Sequence, residues 1–408
     1  MTAKPRVVIH IFHRDLRTVD NASLSAAYAK AVAAKADLIP LFIFTPEQVT
    51  EANPFKSTNS IQFMLESLDD LNSQLNGHLA TLYMDQLTAL TKLQEKYNIV
   101  ALSEGKDYTP YALNREKHSR FFCALHDIEY ISEEDVFLTV PGTVTNKAGR
   151  MFQKFTPFYE NAKTQPVSKP TPPQTLKRLH SKLAVKSPAP PRPVANPHIH
   201  VNGGRSNALK LLSAMPEDYT KTHDIPSTPT SNLSAHLHFG TVSIREVYHK
   251  LTNNEFRRQL YWRDFYGHIC YFFEDLYGVS PYEFQKEPQK GWSTDKAEFT
   301  KWTQGKTGHK LVDAAMNQLK TTGYIHNRPR LVAAIYLTKH LKIHWRWGEK
   351  WFAQHLVDYD FAQNFGNWCW VASVLPFSMA PFRSLDPEIQ LKKFDPDEVY
   401  VKKWLASS

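Results

Sequence analysis

The sequence predicts an N-terminal α/β domain with a parallel sheet, then a long proline-rich connector, then a domain made only of helices. Three observations predict this order. Apolar runs alternate with amphipathic segments over residues 1–130, nine prolines fall within residues 165–197, and all nine tryptophans lie at or after Trp262. With 408 residues, the chain has room for two or three domains and a large core.

The first domain is predicted from alternating periodicity. Apolar runs at 7–12 and 37–44 are typical of buried strands, whereas 22–35 and 59–76 have apolar residues at helical spacing. Such alternation indicates right-handed crossovers and a Rossmann-like parallel sheet covered on both faces. Ligands of such sheets bind at the carboxyl ends of the strands. No G-x-G-x-x-G or phosphate-loop sequence is present.

The connector and the helical domain follow from composition. The density of prolines in residues 165–197 excludes regular helix or sheet there. This part of the connector is therefore ordered only if it packs along a surface. In four later segments, apolar residues recur every three or four positions, which is typical of helices. These segments are residues 207–215, 245–256, 311–323 and 328–341. We therefore expect domains at residues 1–130 and 201–408, joined by a connector at 131–200.

Charge and cysteine content narrow the class of protein. The 49 basic and 40 acidic residues leave a net charge of +9, which favours a polyanionic partner such as nucleic acid. Three scattered cysteines argue against a disulfide framework. The sequence has neither a signal-peptide pattern nor an apolar run long enough to span a membrane. We expect a soluble, intracellular monomer, in either cytoplasm or nucleus.

Seven ordered motifs carry a family resemblance. They are HRDLRTVDNASL (13–24), TSNLSAHLHFG (230–240), QLYWRDFYGH (259–268), VDAAMNQLKTTGYIHNRPR (312–330), WRWGEKWF (345–352), VDYDFAQNFGNWCW (357–370) and FDPDEVYVKKW (394–404). With them the chain resembles the DNA photolyase and cryptochrome family from residue 6 to 404. The resemblance implies an α/β domain, a long connector and a C-terminal helical domain that binds FAD.

The resemblance also implies a set of FAD contacts. Thr230, Ser231 and Ser234 precede an amphipathic helix, where they could act as N-caps or contact the FAD pyrophosphate. Asn364 matches the residue that faces flavin N5. The full set of implied contacts is Tyr219, Thr230, Ser231, Asn232, Leu233, Ser234, Phe256, Arg263, Arg330, Asp358, Asp360 and Asn364. Arg330 and Asp358 could also form a simple ion pair, although buried charges are costly unless paired.

Two groups of tryptophans have separate implied roles. Trp368, Trp345 and Trp292 match the electron-transfer triad of the family, although three core tryptophans would be the simpler interpretation. Trp262 and Trp370 match residues that flank a cavity for a flipped-out pyrimidine dimer in damaged DNA. Asn327 and Arg328 match the lining of that cavity and a nearby phosphate contact, and Arg383 matches a second basic contact.

The expected activity is that of a deoxyribodipyrimidine photo-lyase, in which reduced, anionic FAD repairs cyclobutane pyrimidine dimers using light. A cryptochrome-like photoreceptor without repair and a (6-4) photolyase are the alternatives. Gln259 stands where dimer photolyases usually have Glu and favours the alternatives. Asn327 stands where (6-4) enzymes have a second His, and Asn364 is a photolyase-like choice. The chain ends four residues after Trp404, without a signalling tail, which favours repair.

The sequence does not identify an antenna chromophore. The α/β domain could hold methenyltetrahydrofolate, a deazaflavin, a second flavin or nothing. The segment 106–111 is expected at a strand end, where antenna contacts of the family often lie.

Overall fold

The α/β domain contains a five-stranded parallel sheet. The computed structural model describes residues 3–180, 182–216, 218–273, 291–375, 378–380 and 383–406. The strands are β1 (Arg6–Ile11), β2 (Asp37–Phe44), β3 (Ala80–Tyr83), β4 (Asn98–Gly105) and β5 (Glu129–Glu133). Their order is β3-β2-β1-β4-β5, and every neighbouring pair is parallel. The predicted alternation and sheet type are confirmed, because each of the first four strands is joined to the next by a helical crossover.

Helices cover both faces of this sheet. They are α1 (Ala22–Ala33), α2 (Pro46–Val49), α3 (Thr58–Gln74), α4 (Gln86–Lys96) and α5 (Pro110–Leu125). Alternate residues of β1 enter two different cores: Val8 packs with α1 and α3, and Ile9 packs with α4 and α5. The first core also includes Phe239 and Val357 from the helical domain, so the two domains share one apolar interface.

The helical domain is built around one large core rich in aromatic residues. Before the proline-rich stretch at 165–197 lies α6 (Phe155–Ala162), which falls within the expected connector but packs into this core. The helices after the connector are α7 (Arg205–Ser213), α8 (Tyr219–Thr222), α9 (Ser234–Phe239), α10 (Ile244–Lys250), α11 (Asn254–Phe272), α12 (Lys296–Gln304), α13 (Lys310–Thr322), α14 (Asn327–Ile335), α15 (Trp345–His355), α16 (Phe361–Ala372), α17 (Pro387–Phe394) and α18 (Val399–Leu405). None of the described helices is long and apolar enough to cross a membrane.

Two of the expected helical segments differ in the structure. Residues 245–256 cover most of α10 and the start of α11, because Leu251 is extended and the Asn253 side chain caps a new helix by accepting from the Phe256 amide at 3.1 Å. Residues 328–341 begin as α14 and continue as a π-helical turn at Tyr336–His340. Apolar spacing alone does not reveal either change.

The proline-rich connector is extended and lies against the α/β domain. The Leu38 amide donates to the Arg178 carbonyl at 2.7 Å, and the His180 amide donates to the Leu38 carbonyl at 2.9 Å. Farther along, the Ser187 hydroxyl accepts from the Tyr83 amide at 2.9 Å, and Val185 is buried in the second sheet core. These contacts order a segment that cannot form its own helix or sheet.

Candidate functional site

The loop before α9 leaves hydroxyl groups at the start of a helix without using them as caps. The N-cap of α9 is Leu233, and no side chain caps the helix. Asn232 takes a left-handed conformation with φ +53°, and its side-chain oxygen lies 3.0 Å from His200 Nε2 and 3.4 Å from the Thr230 hydroxyl. Capping therefore does not explain the serine and threonine residues of this loop.

Ser234, Asp358 and Arg330 form one polar cluster. Ser234 Oγ donates to Asp358 Oδ2 at 2.7 Å, and Arg330 Nη2 donates to both Asp358 oxygens at 3.2 and 3.1 Å. The Asp358 side chain is only 4% exposed. The ion pair that the sequence left as an alternative is present, and the cluster links the start of α9 to the segment before α16.

Asp360 is buried where the two domains meet. It receives hydrogen bonds from Arg14, which also donates to Asp107 at 3.2 Å, and it lies 3.2 Å from His238 Nδ1. Burial opposes ionisation of Asp360, but the charge of Arg14 and the His238 contact hold the pKa of this carboxyl well below its usual range. Asp360 is therefore a fixed negative charge at the interface.

Arg263 is a second buried cation in this region. Its guanidinium donates to the Val136 and Leu237 carbonyl oxygens, the latter at 3.2 Å, and lies over the Phe137 ring. Burial and the nearby charge of Arg14 lower the pKa of Arg263 to about 10. It still carries its proton at neutral pH, so an anionic ligand placed here would meet two buried cations.

Asn364 is held by a buried acid that the sequence motifs did not single out. Its amide nitrogen donates to the Glu349 backbone carbonyl and to Glu349 Oε1, both at 3.1 Å. Glu349 is 2% exposed, and burial raises the pKa of this carboxyl to about 7. Because the amide nitrogen is occupied, the side-chain oxygen of Asn364 is the atom left to accept from a ligand N–H.

The three tryptophans of the expected triad differ in burial. Trp368 is 2% exposed, Trp345 is fully buried, and Trp292 is half-buried. The His344 ring lies between the last two, with centroid distances of 5.5 Å to Trp292 and 6.2 Å to Trp345. Backbone pairing of Ser293 with residues 342–343 fixes this neighbourhood. Two of the three rings are buried and the third reaches the surface, which is compatible with a path from the interior to the surface.

Trp368 sits one helical turn after Asn364 on α16, where both are buried. It packs close to α15 because Gly348 has no side chain: a Cβ there would come within 2.2 Å of the Trp368 ring. Farther away, the expected FAD contacts Tyr219 and Phe256 stack on each other with ring centroids 4.0 Å apart.

The residues expected to contact DNA differ in burial and in packing. Trp262 on α11 stacks on Phe155 with centroids 3.6 Å apart, and Trp370 on α16 is half-buried against the same core. The side chains of Gln259, Asn327 and Arg383 are exposed.

Arg328 lies in a different setting from Arg383. Its Nε and Nη2 atoms donate to the two Asp224 oxygens at 3.2 and 2.6 Å, and its guanidinium lies 4.3 Å from the centre of the Phe394 ring. A phosphate would have to compete with Asp224 for this side chain, a constraint that its sequence position did not reveal.

Comparison with known proteins identifies the family of the chain. The family model described as DNA photolyase matches residues 8–177, and the model described as the FAD binding domain of DNA photolyase matches residues 256–407. A deoxyribodipyrimidine photo-lyase of Synechococcus sp. is 32% identical, with 96% of this chain and 86% of the relative aligned.

Two solved structures match almost the whole chain. An archaeal photolyase from Sulfolobus tokodaii with two FAD molecules is 32% identical, with a TM-score of 0.84 and coverage of 98% of this chain and 90% of that one. A class III photolyase from Agrobacterium tumefaciens is 29% identical, with a TM-score of 0.86 and coverage of 100% and 87%. The chain therefore belongs to the DNA photolyase and cryptochrome family, and its helical domain is the FAD-binding domain of that family.

Proposed function

We propose that this protein is a deoxyribodipyrimidine photo-lyase that splits cyclobutane pyrimidine dimers in DNA, acting as a monomer. The observation that carries the proposal is the placement of Asn364 and Trp368 on one buried face of α16, with Trp345 and Trp292 leading outward. Relatives named deoxyribodipyrimidine photo-lyase align over nearly the whole chain and support the same activity. In this proposal residues 1–130, 131–200 and 201–408 are the antenna-type domain, the connector and the FAD- and DNA-binding domain.

The donor set of the helical domain suits FAD. Hydroxyl groups of the loop before α9 and the buried cation Arg263 are suited to phosphate, and the Asn364 amide and the Asp358–Arg330 pair are suited to a flavin ring. Tyr219 and Phe256 supply a stacked aromatic wall. Reduced anionic FAD bound there would supply a donor that gives up an electron after it absorbs light.

The protein side chains then have distinct tasks. Glu349 fixes the Asn364 amide so that the amide oxygen accepts, and the amide itself brings no charge to the ring. Trp368, Trp345 and Trp292 carry electrons inward from the surface. Since the tryptophans serve to reduce the cofactor, they act before repair and not during bond cleavage.

On the DNA side, Trp262 and Trp370 would pack against a flipped-out dimer, with Asn327 lining the cavity. Gln259 on α11 would donate a hydrogen bond from its amide nitrogen to a pyrimidine carbonyl. Unlike Glu at this position, it has no carboxyl proton to share. Gln259 is the one residue that favours a (6-4) photolyase or a photoreceptor. Asn327 argues against (6-4) chemistry, since an amide cannot act as the acid–base partner that a second imidazole would be.

One small crevice of the α/β domain lies where a ligand of such a sheet would bind. A crevice at the carboxyl ends of the strands is lined by residues that include Thr45, Gln86, Tyr111 and Arg115, and its volume is about 100 Å³. Pockets for drug-sized ligands usually measure about 300 Å³ or more. We propose that FAD absorbs the light directly unless Tyr111, which is hydrogen-bonded to Thr45 at 3.0 Å, moves to open this crevice.

DNA binding tests the proposed substrate. Duplexes with and without one thymine dimer would be titrated in the dark with wild-type protein and with Trp262→Ala and Trp370→Ala. We expect tighter binding to the dimer duplex, and loss of that preference in both variants with FAD retained. Equal affinity for both duplexes in the wild-type protein would contradict the proposal and favour a photoreceptor.

A further inference from the structure

A cavity that the proposed function does not use lies on the outer face of α15. Its volume is about 520 Å³, within the range of small-molecule sites. The aromatic and basic side chains that line it are Phe299, His344, Arg346, Trp347, Lys350 and Trp351. All six are half-buried, so each has a face that a ligand can reach.

Helical spacing explains why these residues share a surface. Trp347 and Trp351 are four residues apart on α15, as are Arg346 and Lys350, whereas Trp345, Gly348, Glu349 and Phe352 form the buried face. Phe299 reaches the same surface from α12, with its ring centroid 5.2 Å from Trp347 and 6.5 Å from Trp351. The indole N–H of Trp351 is buried and has no hydrogen-bond partner among the described residues.

The chemistry of the lining selects the kind of ligand. Three aromatic rings offer stacking surface for a planar ring system. Arg346 and Lys350 add two fixed positive charges, and no carboxylate is among the described residues of the lining. A planar aromatic molecule that carries a phosphate matches both properties, whereas a cation would be repelled by the two charges and an aliphatic chain would make no use of them.

The cavity also borders the tryptophans at two points. His344, one of its walls, lies between the rings of Trp292 and Trp345. The Arg346 guanidinium lies 4.6 Å from the centre of the Trp345 ring. A ligand in the cavity is therefore separated from both tryptophans by a single layer of side chains.

A second aromatic route connects the cavity with Trp368. Phe299 stacks on Trp302 at 5.8 Å, and Trp302 lies 6.4 Å from Trp368. Both routes bring this surface close to residues that would lose an electron when the cofactor is reduced by light.

We propose that this cavity binds a reducing aromatic nucleotide that restores the tryptophans after light-driven reduction of the cofactor. The inference rests on the proposed function for the electron path and on the cavity alone for binding. One electron passes from the nucleotide to the oxidised tryptophan, which regains its neutral closed-shell form. The nucleotide is oxidised by one electron, releases its proton to solvent and leaves. Reduced nicotinamide nucleotides belong to this chemical class.

The first experiment tests whether the cavity binds such a nucleotide. It uses flavin mononucleotide as an oxidised probe and FAD-loaded protein kept in the dark. Equilibrium dialysis would compare wild-type protein with Trp347→Ala and Lys350→Gln, and with Phe121→Ala and Lys30→Gln on the α/β domain as matched controls. We expect one site per chain, affinity about tenfold lower in Trp347→Ala, and no change in the controls. Unchanged affinity in both cavity variants, with FAD content and circular dichroism like wild type, would overturn the proposal.

The second experiment tests the electron-donor role by measuring the rate of FAD photoreduction at increasing concentrations of NADH. Dithiothreitol, an electron donor without an aromatic ring to stack, is the control. We expect saturation with NADH in the wild-type protein and a linear, collisional dependence in Trp347→Ala, with no difference for dithiothreitol. A linear dependence in both proteins would overturn the electron-donor role. Neither experiment uses DNA, so a protein that failed to repair dimers would refute the proposed function while the cavity remained testable.

Discussion

The Asn364 amide donates to both the backbone carbonyl and the side-chain oxygen of Glu349, each at 3.1 Å, so one buried acid fixes the orientation of one buried amide. Asn364 was expected to face the flavin from its motif, but its partner was not. The pair makes the protonation state of Glu349 relevant to the whole site, because an ionised carboxylate there would place a buried charge beside the cofactor.

Glu349 gives a pH dependence of stability with a definite sign. Burial raises its pKa from the usual 4.5 to about 7, so the folded state holds the proton more tightly than the unfolded state. This stabilisation is complete below pH 4.5 and is lost as pH rises to 7, a change on the order of 3 kcal/mol. Urea unfolding at pH 5 and pH 8 should show this loss in wild-type protein and a smaller loss in Glu349→Gln. The same pH difference in both proteins would refute this role.

Arg14 should be needed for the stability of the domain interface. Its replacement by Gln leaves the buried Asp360 and Asp107 carboxylates without their shared cation. Breaking a buried pair from one side costs about 3 kcal/mol or more. Urea unfolding should reveal this loss, and Arg14→Lys should recover part of it. A loss below about 0.5 kcal/mol in Arg14→Gln, as at an ordinary surface position, would contradict the interpretation.

Replacing Trp368 should separate cofactor reduction from repair. Trp368→Phe should block photoreduction of oxidised FAD, since Phe is much harder to oxidise, while chemically reduced enzyme keeps its repair rate. Trp404→Phe, at a buried tryptophan of α18, is the matched control. Absorption at 450 nm under blue light measures the reduction. Photoreduction at the wild-type rate in Trp368→Phe would show that electrons take another path.

The two arginines that the family resemblance places near DNA should behave differently. Each phosphate contact contributes about 0.9 to the slope of log affinity against log salt concentration. Arg383 is exposed and should show this change when replaced by Ala. Arg328 is held by Asp224, so Arg328→Ala should change the slope less. Equal changes in the two variants would mean that DNA binding breaks the Asp224 pair.

Gln259→Glu should keep or increase dimer repair. A protonated Glu donates a hydrogen bond to a pyrimidine carbonyl that gains negative charge during cleavage, and it has a proton to share. The gain is on the order of 1–3 kcal/mol if that contact is made. Single-turnover repair of one thymine dimer by each reduced protein measures it. Slower repair by Gln259→Glu would show that the site is built around the amide.

Much of the fold could be predicted from sequence because periodicity is local. The strands at 7–12 and 37–44 and the helices at 22–35 and 59–76 lie within one or two residues of their predicted places. The break between α10 and α11 was missed because Leu251 keeps the apolar spacing while its backbone is extended. Family motifs singled out candidate positions for the site, but they carry no information on partners far apart in the chain.

The residue partners that the sequence did not predict lie far apart in the chain or differ only in burial. Arg14 and Asp360 are 346 positions apart and meet only when the two domains pack together. Glu349 lies in a quoted motif, yet nothing in a linear sequence distinguishes a buried acid from an exposed one. The α15 cavity has the same origin, since Phe299 belongs to a different helix from Trp347 and Trp351.

The most direct test of the account is to illuminate chemically reduced protein with an oligonucleotide that carries one cyclobutane thymine dimer, and to quantify intact thymines by chromatography. A parallel sample carries a (6-4) photoproduct, and both are repeated in the dark. The account predicts light-dependent recovery of thymines from the cyclobutane dimer and none from the (6-4) lesion. Repair of the (6-4) lesion alone, or of neither lesion with reduced FAD bound, would contradict it.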